Sequence, residues 1–431
     1  MKRALAALAF WLIPAAAASA APAREAAVEK ALRGIAAHAE AVLITPEGKV
    51  RAEYDSATGA WSDYEPAWHT GQMIWGLVEA AHALKAPELL APARRAGDWW
   101  RAQEFQPPHP FAGLLNAWHG DKLGPLVNWT TISDGAPGLF ALSRATGDAR
   151  YAEAAGRSGA WLWANTRVPA SIPGGEGLFY NIFDAARGVV LTDWNPHTQG
   201  SAYDAALAAR LGPPPITELA RPNIEGFLFA DLCRHSGEQA WCGRFLEQAR
   251  FALARQSPDG LWMAFEPNDA ASGRVHPRFN IWNAEALLEA YALSGERAFL
   301  EAAARTARFY QGAAAPDGAI AYTLYRDGRT AAEQGAAGSA VAFHGLLVLR
   351  LQDYGYAEFA PAIARAADWL LANRYPEDHP DPNLRGGVPD TRVRKGKAPV
   401  QRDLGASFAL RFLALYLRDL RGENINTGPT P

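Results

Sequence analysis

The chain has 431 residues, of which 49% are hydrophobic and 20% are charged, as is typical of a globular protein with a large core. Its formal net charge of −3 excludes a general nucleic-acid binder, because such proteins carry a strong positive charge. After the N-terminal region no segment approaches the roughly 18 uninterrupted apolar residues of a membrane-spanning helix, so no span is predicted.

The first twenty residues have the three parts of a secretory signal peptide. Lys2 and Arg3 form a positive start, residues 4–14 form a short apolar stretch, and Ala18-Ser19-Ala20 forms a cleavage site. We therefore predict that residues 1–20 are a signal peptide and that residues 21–431 form one exported domain. A bacterial periplasm is the simplest destination.

Helix–turn–helix joints recur along the rest of the chain. Three of them centre on Gly147, Gly237 and Gly295, where glycine ends one helix and an acidic residue opens the next. Two weaker joints and two terminal helices are predicted at residues 84–88, 353–358, 24–42 and 403–420. Together these segments predict twelve helices in six hairpins.

The predicted helices fall into two sets. Helices before each joint are poor in charge and should be buried nearly all round, whereas helices after each joint carry charged residues along one face. The first set is predicted to begin near Trp68, Thr131, Asn223, Asn280, Gly338 and Asp403. An inner and an outer ring of six helices make an all-α fold, the (α/α)6 toroid.

The links from outer to inner helices are long, about 20 to 60 residues, which exceeds the common loop length. Several contain a turn followed by a β-like segment, and we predict short β-hairpins at residues 174–178, 258–262, 316–320 and 386–388. All these links emerge beside the N-termini of the inner helices. Long structured links on a rigid scaffold form binding sites, so this end of the toroid is the predicted functional face.

The two cysteines, Cys233 and Cys242, flank the joint at Gly237. If the two helices form an antiparallel hairpin, both thiols lie close together, and an oxidising compartment permits a disulfide. We predict that bond, with two buried free thiols as the alternative. No metal site is predicted, because neighbouring His235 completes no recognisable ligand spacing.

Carboxylates near the inner-helix starts are the candidate catalytic groups, with Asp134 first and Glu65 and Glu225 as possible partners. The alternative role of each is helix capping. For Asp134 this alternative is weaker, because Thr131 and Ser133 are available as caps. Small residues from Gly135 to Gly138 would leave space for a ligand, although close helix packing would select them too.

Aromatic, basic and amide side chains near the same end are predicted to bind a substrate. They are Trp68, His69, Gln72, Trp129, Tyr180, Trp194, Gln199, His276, Arg278, Asn280, Trp282, His344, Arg385 and Arg402. Aromatic rings stack on sugar rings, and arginine binds carboxylates in bidentate fashion. The basic run at residues 392–397 is either a solvated loop or a segment that attracts an acidic glycan.

Five segments together resemble the six-hairpin glycosidases, and most closely their unsaturated glucuronyl and rhamnogalacturonyl hydrolases. Trp68-His-Thr-Gly-Gln-Met-Ile-Trp75-Gly76 is similar to the first inner helix of that family, and the helix with Asp134 is similar to the one that carries its catalytic aspartate. The other segments are Asp184 to Val190 with His197-Thr-Gln-Gly200, then Gly338 to Leu347, and Gly386-Gly-Val-Pro-Asp390.

This resemblance implies a glycoside hydrolase that acts on an acidic, uronate-containing oligo- or polysaccharide without a cofactor. Asp134 would be the general acid and base. In unsaturated uronides it protonates the sugar double bond and water adds, so one carboxylate suffices. An ordinary glycosidase needs a second carboxylate, for which Glu65 and Glu225 are the candidates.

Two other functions stay open. In a polysaccharide lyase or uronate epimerase, Tyr203, His197 or His276 would remove the proton next to the uronate carboxylate, while Arg278 or Asn280 neutralises that carboxylate. A non-catalytic glycan-binding protein would use only the aromatic mouth. The sequence leaves the oligomeric state open.

Overall fold

The computed structural model describes residues 15–120, 123–196, 205–331, 335–392 and 399–426. These residues form an (α/α)6 toroid, which confirms the predicted fold class. The inner ring consists of α2 (Pro66–Leu84), α4 (Trp129–Thr146), α8 (Leu228–Ser236), α10 (Phe279–Ser294), α12 (Gly338–Asp353) and α14 (Leu404–Leu420).

The outer ring packs behind these helices. It consists of α1 (Ala15–His38), α3 (Leu90–Arg101), α5 (Ala149–Asn165), α9 (Gln239–Ala254), α11 (Arg297–Ala313) and α13 (Ala360–Asn373). Two short helices lie in the longest link, α6 (Ala205–Leu211) and α7 (Ile216–Leu219). The chain closes on itself, because the last inner helix α14 packs against both α1 and α2. Among the described residues, no helix is long and apolar enough for a membrane span.

The order of inner helices around the ring decides which links face each other. Packing contacts give the closed order α2, α4, α8, α10, α12 and α14, with the short turn Glu225–Phe227 joining α8 to both α4 and α10. The ring therefore places α4 diametrically opposite α12. Links that precede these two helices lie on opposite walls of any cleft at this end.

The predicted glycine joints are confirmed where helices meet. Gly147 ends α4 with φ 70°, and its N–H donates to the carbonyl of Ser143. The same left-handed conformation at Gly237 ends α8, after which α9 turns back beside it. Cys233 and Cys242 are bonded across this joint, with their Cα atoms 5.0 Å apart.

Twelve short strands lie in the described parts of the links. They are β1 (Glu53–Asp55), β2 (Ala60–Ser62), β3 (Trp118–Gly120), β4 (Gly124–Asn128), β5 (Phe179–Tyr180), β6 (Ile182–Asp184), β7 (Val189–Val190), β8 (Ala220–Arg221), β9 (Arg274–Val275), β10 (Leu324–Tyr325), β11 (Thr391–Arg392) and β12 (Val400–Arg402). They form two four-stranded sheets, ordered β11-β12-β1-β2 and β3-β4-β6-β7, and two strand pairs, β9-β10 and β5-β8.

The predicted short β segments in the links are confirmed, but the four segments named above contain turns and the strands lie elsewhere in the links. Some strands also pair with a strand of another link. β1 pairs with β12, β4 with β6 and β9 with β10, so each of these pairs joins two different links. Such pairing holds the long links together over the inner-helix N-termini.

Glycines bring α2 and α4 into backbone contact. A Cβ atom on Gly71 would lie 2.4 Å from the Cα of Gly135, and one on Gly138 would lie 2.0 Å from the carbonyl oxygen of Gly71. Real Cβ atoms do not approach backbone so closely. The small residues after Asp134 therefore serve helix packing, which corrects the expectation that they leave space for a ligand.

Gly138→Ala is expected to destabilise the fold by about 1–3 kcal/mol, because the new methyl group must push two inner helices apart. The matched control is Gly243→Ala on the exposed part of α9, where a Cβ meets nothing within 4 Å. Alanine there is expected to stabilise the helix by up to about 1 kcal/mol. Chemical denaturation measures both changes, and equal midpoints would contradict the packing role of Gly138.

Candidate active site

A cleft of about 540 Å³ opens at the N-terminal end of the inner helices. Its lining joins carboxylates, arginines, aromatic rings and other polar side chains from all six links and from some of the inner helices that follow them. The described lining residues are Tyr64, Glu65, Trp68, Asn128, Thr130, Thr131, Asp134, Arg221, Glu225, Glu266, Pro267, Arg274, His276, Arg278, Phe279, Trp282, Tyr322, Arg392 and Arg402.

Asp134 lies on one wall, in the second turn of α4. The helix begins two residues earlier than predicted, and its cap is Asn128, whose side chain accepts from the N–H of Thr130. This corrects the expected capping by Thr131 and Ser133, and it leaves Asp134 without a capping role. Its Oδ1 is buried and has no partner among the described residues.

Burial raises the pKa of Asp134 well above its ordinary value, and the negative charge of Glu225 raises it further. The positive charge of Arg221 offsets part of this effect. Asp134 is therefore a carboxyl group that holds its proton at a pH where an exposed aspartate has lost it. A buried acid that keeps its proton in a cleft is suited to general acid catalysis.

Glu225 reaches Asp134 because the backbone before α8 comes very close to α4. Gly226 has φ 71°, and a Cβ on it would lie 1.9 Å from the carbonyl oxygen of Ser133. Burial also raises the pKa of Glu225, and Arg221 lowers it in part. Oε2 of Glu225 has no partner among the described residues. The two carboxyl groups thus share one site and do not both ionise easily.

Glu225→Gln is expected to move the alkaline limb of the kcat/KM profile to lower pH. Removing the negative charge lowers the pKa of Asp134, so its protonated form is lost at a lower pH. Glu65→Gln is the matched control, because Glu65 raises the same pKa less than Glu225 does. The profile should shift less for the Glu65 variant. A shift to higher pH in Glu225→Gln would contradict this coupling.

Glu65, the other predicted carboxylate, also lines the cleft. It precedes α2 in the left-handed conformation, with φ 47°. Its Oε1 accepts from Nδ2 of Asn128 at 3.2 Å and lies 3.5 Å from Nε2 of His119. These contacts hold Glu65 in place, whereas Asp134 and Glu225 each have an oxygen without a partner in the part of the chain that the structure describes.

Two tryptophans form the floor. Trp68 on α2 and Trp282 on α10 meet with ring centroids 5.4 Å apart, and both side chains are almost fully buried. Their indole Nε1 atoms have no acceptor among the described residues. An apolar ring face with a free N–H donor is suited to a sugar ring and its hydroxyl groups.

Three arginines form a basic wall, which we define as Arg278, Arg392 and Arg402. Arg402 and Glu53 pair in register between β12 and β1, and the guanidinium Nε lies 3.7 Å from the carboxylate. Arg392 binds the same carboxylate at 2.6 Å. Arg278, which is fully buried, donates to Ser339 at 2.7 Å and lies 3.8 Å from Asp390.

His276 lies in the cleft as a hydrogen-bond donor. Its Nδ1 accepts from the N–H groups of Arg278 and Phe279, so the proton of the neutral ring is on Nε2. Burial and the charge of Arg278 lower its pKa well below the ordinary value, which keeps the ring neutral. This geometry does not support His276 as a base, because neither nitrogen offers a free lone pair.

Two predicted binding residues lie just behind the lining. Gln72 is fully buried, donates to the backbone carbonyl of Asp134 and accepts from Arg411. His69 is bonded through Nδ1 to Asp403, and its Nε2 lies 3.3 Å from Nη2 of Arg402. Both therefore hold residues of the cleft and do not contact its space.

The structure places six further predicted residues away from the cleft lining. Asn280 is buried with its amide bonded to Trp262, Asn268 and Tyr310, and Trp129 donates to Thr166 in the core. Arg385 is exposed and donates to His379. The others are buried, namely Tyr180 in β5, Trp194 in a small cluster with Leu191, and His344 against Ala307.

Three more predicted residues, His197, Gln199 and Tyr203, lie outside the described residues. The same holds for residues 393–397 of the basic run, whereas Arg392 is described and belongs to the basic wall. Of the predicted site, the cleft brings together Glu65, Trp68, Asp134, Glu225, His276, Arg278, Trp282 and Arg402.

Sequence analysis missed Arg221 and Tyr322. Arg221 donates to the hydroxyl of Thr130 at 3.0 Å and to the carbonyl of Glu266 at 2.7 Å, beside the two carboxyl groups. It lies four residues before the candidate acid Glu225, and this proximity could have drawn attention to it. Tyr322 carries no comparable signal, because it lies in an ordinary link and reaches the cleft through the pairing of β9 and β10.

No cofactor is expected at this site. Within the described ranges, no three His, Cys, Asp or Glu side chains are grouped so that they could hold a metal ion.

Comparison with solved structures supports the fold. The chain is similar to an unsaturated glucuronyl hydrolase specific for heparin, with a TM-score of 0.62 and 12% identity over 94% of this chain and 99% of that one. It is equally similar to cellobiose 2-epimerase from Bacillus thermoamylovorans, with a TM-score of 0.62 and 11% identity over 89% and 98%. A type II terpene cyclase from Scytonema has a TM-score of 0.56 and 14% identity over 93% and 99%.

These neighbours share the toroid fold with this chain, and they include a hydrolase, an epimerase and a terpene cyclase. No protein-family model matches the chain, and no curated protein sequence matches it at a significant level. Because one toroid carries several chemistries at these low identities, the reaction has to be argued from the cleft itself.

Proposed function

We propose that this protein is a glycoside hydrolase that acts on an acidic oligo- or polysaccharide, with Asp134 as the general acid. The observation that carries this proposal is a buried carboxyl group with a raised pKa, whose Oδ1 has no partner among the described residues, in one cleft with a basic wall and a tryptophan floor. A polar cleft of this kind suits a charged sugar better than an apolar chain.

In the proposed reaction a sugar ring lies on Trp68 and Trp282, with its glycosidic oxygen at Asp134. The protonated carboxyl group donates its proton to that oxygen as the bond to the anomeric carbon breaks. Glu225 supports this step, because its nearby charge favours the protonated form of Asp134 before the reaction. General acid catalysis of this type contributes about 10²–10⁴ in rate.

The basic wall supports an acidic substrate. The guanidinium of Arg278 is fully buried, and its Nε and Nη2 have no acceptor in good geometry among the described residues. A carboxylate of the sugar would satisfy these donors in bidentate fashion. A neutral sugar would offer these two donors no carboxylate acceptor, at a cost in binding.

A polysaccharide lyase or epimerase is the second candidate, because the same wall would neutralise the carboxylate while a base removes the adjacent proton. His276 does not fill that role, since its Nδ1 accepts two backbone N–H groups. The base would then come from His197 or Tyr203, outside the described residues. Export to a bacterial periplasm, inferred from residues 1–20, is also part of our proposal.

The test is a panel of uronate polymers and their unsaturated oligomers, followed by ultraviolet absorbance of the unsaturated uronide and by reducing ends. New reducing ends at constant absorbance support ordinary hydrolysis, and falling absorbance supports hydrolysis of an unsaturated glycoside. Rising absorbance would replace the proposal with a lyase. Binding without any turnover would replace it with a glycan-binding protein.

A further inference from the structure

Tyr322 lies in the cleft on the wall opposite Asp134. It precedes β10 in the link before α12, whereas Asp134 belongs to α4, and these two helices are diametrically opposite in the ring. The β9–β10 pair brings this link beside the segment that carries Arg278, with Leu324 opposite Val275. Tyr322 is half-buried and contributes to the cleft lining.

The basic wall surrounds the phenol of Tyr322. The guanidinium carbon of Arg278 lies 6.0 Å from the ring centroid, and its positive charge acts on the phenol. Arg392 and Arg402 act on the same phenol from the neighbouring link on the other side, before α14. Positive charge therefore reaches this hydroxyl from the links on both sides.

Among the described residues, the basic wall has more guanidinium groups than carboxylate partners. The two carboxylates that pair with the basic wall are, among the described residues, Glu53 and Asp390. Burial raises the pKa of Asp390, so this carboxylate holds its charge less readily than an exposed one. His276 is neutral, and Asp403 is bonded to His69. In the described part of the chain, the three guanidinium groups of the basic wall thus have two carboxylates as ion-pair partners, and a phenolate at Tyr322 would add a third negative charge.

A second tyrosine in the same cleft behaves differently. Tyr64 presents its ring face to Arg392 and Arg402, with guanidinium carbons 4.9 and 5.2 Å from its centroid. Burial and the charge of Glu65 raise its pKa. For Tyr322 burial acts in the same direction, but Arg402, Arg392 and Arg278 outweigh it and lower the pKa, although Asp390 opposes them.

We propose that Tyr322 is the base of this cleft, a catalytic residue that takes a proton from the attacking water while Asp134 acts from the opposite wall. This inference rests on the proposed hydrolase function. The oxygen of water forms a bond to the anomeric carbon, and its proton passes to the phenolate. The electron pair of the breaking glycosidic bond goes to the leaving oxygen, which takes the proton of Asp134.

The first test needs no substrate. Tyrosinate absorbance is followed against pH for the parent protein, Tyr322→Phe and Tyr64→Phe. We expect the parent and Tyr64→Phe to show a tyrosine that ionises below the ordinary value of about 10, and Tyr322→Phe to lack it. Arg392→Gln should move this step to higher pH. If the tyrosinate absorbance of the parent and of Tyr322→Phe follows the same curve below a pH of about 10, the proposal is overturned.

The second test is kinetic. Tyr322→Phe is expected to lower kcat by about 10²–10⁴ with little change in KM, because it removes a proton acceptor and keeps the ring. A kcat within about tenfold of the parent would overturn the proposal. The two hypotheses fail separately. If Asp134→Asn keeps full activity, Asp134 is not the general acid, whatever the result for Tyr322. If the enzyme needs Asp134 but Tyr322 ionises at the ordinary pH, only the role of Tyr322 as the base is refuted.

Discussion

Asp134→Asn is expected to lower kcat by about 10²–10⁴ while the fold and substrate binding are retained. Asparagine has nearly the same shape, yet it has no proton to donate. The side chain of Asp134 caps no helix, and Gln72 bonds to its backbone carbonyl, so the substitution leaves these contacts in place. Activity is measured together with binding of a uronate oligomer and the melting temperature.

The stability of this variant distinguishes a catalytic role from a structural one. A buried carboxyl with a raised pKa costs stability at neutral pH, because ionisation in the folded state is unfavourable. The asparagine variant should therefore melt at the parent temperature or above it. A clear fall in melting temperature, with activity that follows the folded fraction, would assign Asp134 to the structure instead.

Asp231→Asn is the matched control for this experiment. Asp231 is another buried inner-helix carboxylate whose pKa is raised by burial, but it lies in α8 and lines the cavity at the other end of the toroid. It pairs with Arg144 and Arg234 at 3.5 and 3.6 Å. We expect this variant to keep its turnover. Equal losses in both variants would mean that burial, and not position in the cleft, explains the effect.

Much of the fold could be predicted because local signals specify it. Glycine joints mark the helix ends, and the low number of charged residues on helices such as α12 marks the inner ring. These signals act within about twenty residues. The ring closure by α1 and α14 followed from counting helices, and the structure agrees with it.

The site could be predicted only in part, because side-chain direction depends on where each helix begins and what packs beside it. A start at Trp129 instead of Thr131 moves Asp134 from a capping position into the second turn. Gln72 lies on the same helix as Trp68 but points at α4, where close glycine contacts leave no room for a substrate.

The basic wall and Tyr322 were harder to predict, because contacts between distant links create them. Glu53 meets Arg402 through the β1–β12 pair, and Tyr322 comes beside Arg278 through the β9–β10 pair. Strands of two or three residues leave almost no periodic pattern in a sequence. The sequence shows that these arginines and tyrosines are present. It does not show that they meet in one cleft, because this depends on strand pairing between different links.

The basic wall leads to a prediction about substrate charge. Arg278→Gln, combined with Asp390→Asn so that no buried carboxylate is left unpaired, is expected to lower kcat/KM for an acidic oligosaccharide by about 30-fold or more. The reason is the loss of a buried, charge-assisted contact with the carboxylate, which is worth at least about 2 kcal/mol. The same substrate with its carboxylate reduced to an alcohol should be affected much less.

Asp390→Asn alone is the matched control, because it keeps Arg278 and removes only the neighbouring carboxylate, 3.8 Å away. The quantity to compare is the ratio of kcat/KM for the acidic and the reduced substrate in the parent, the single variant and the double variant. Any effect on the chemical step that both substrates share, including a change at Tyr322, cancels in this ratio. The ratio should stay high in the parent and in Asp390→Asn and fall towards one in the double variant. If the ratio is unchanged when Arg278 is lost, then the basic wall does not recognise the carboxylate, and the acidic substrate class has to be abandoned.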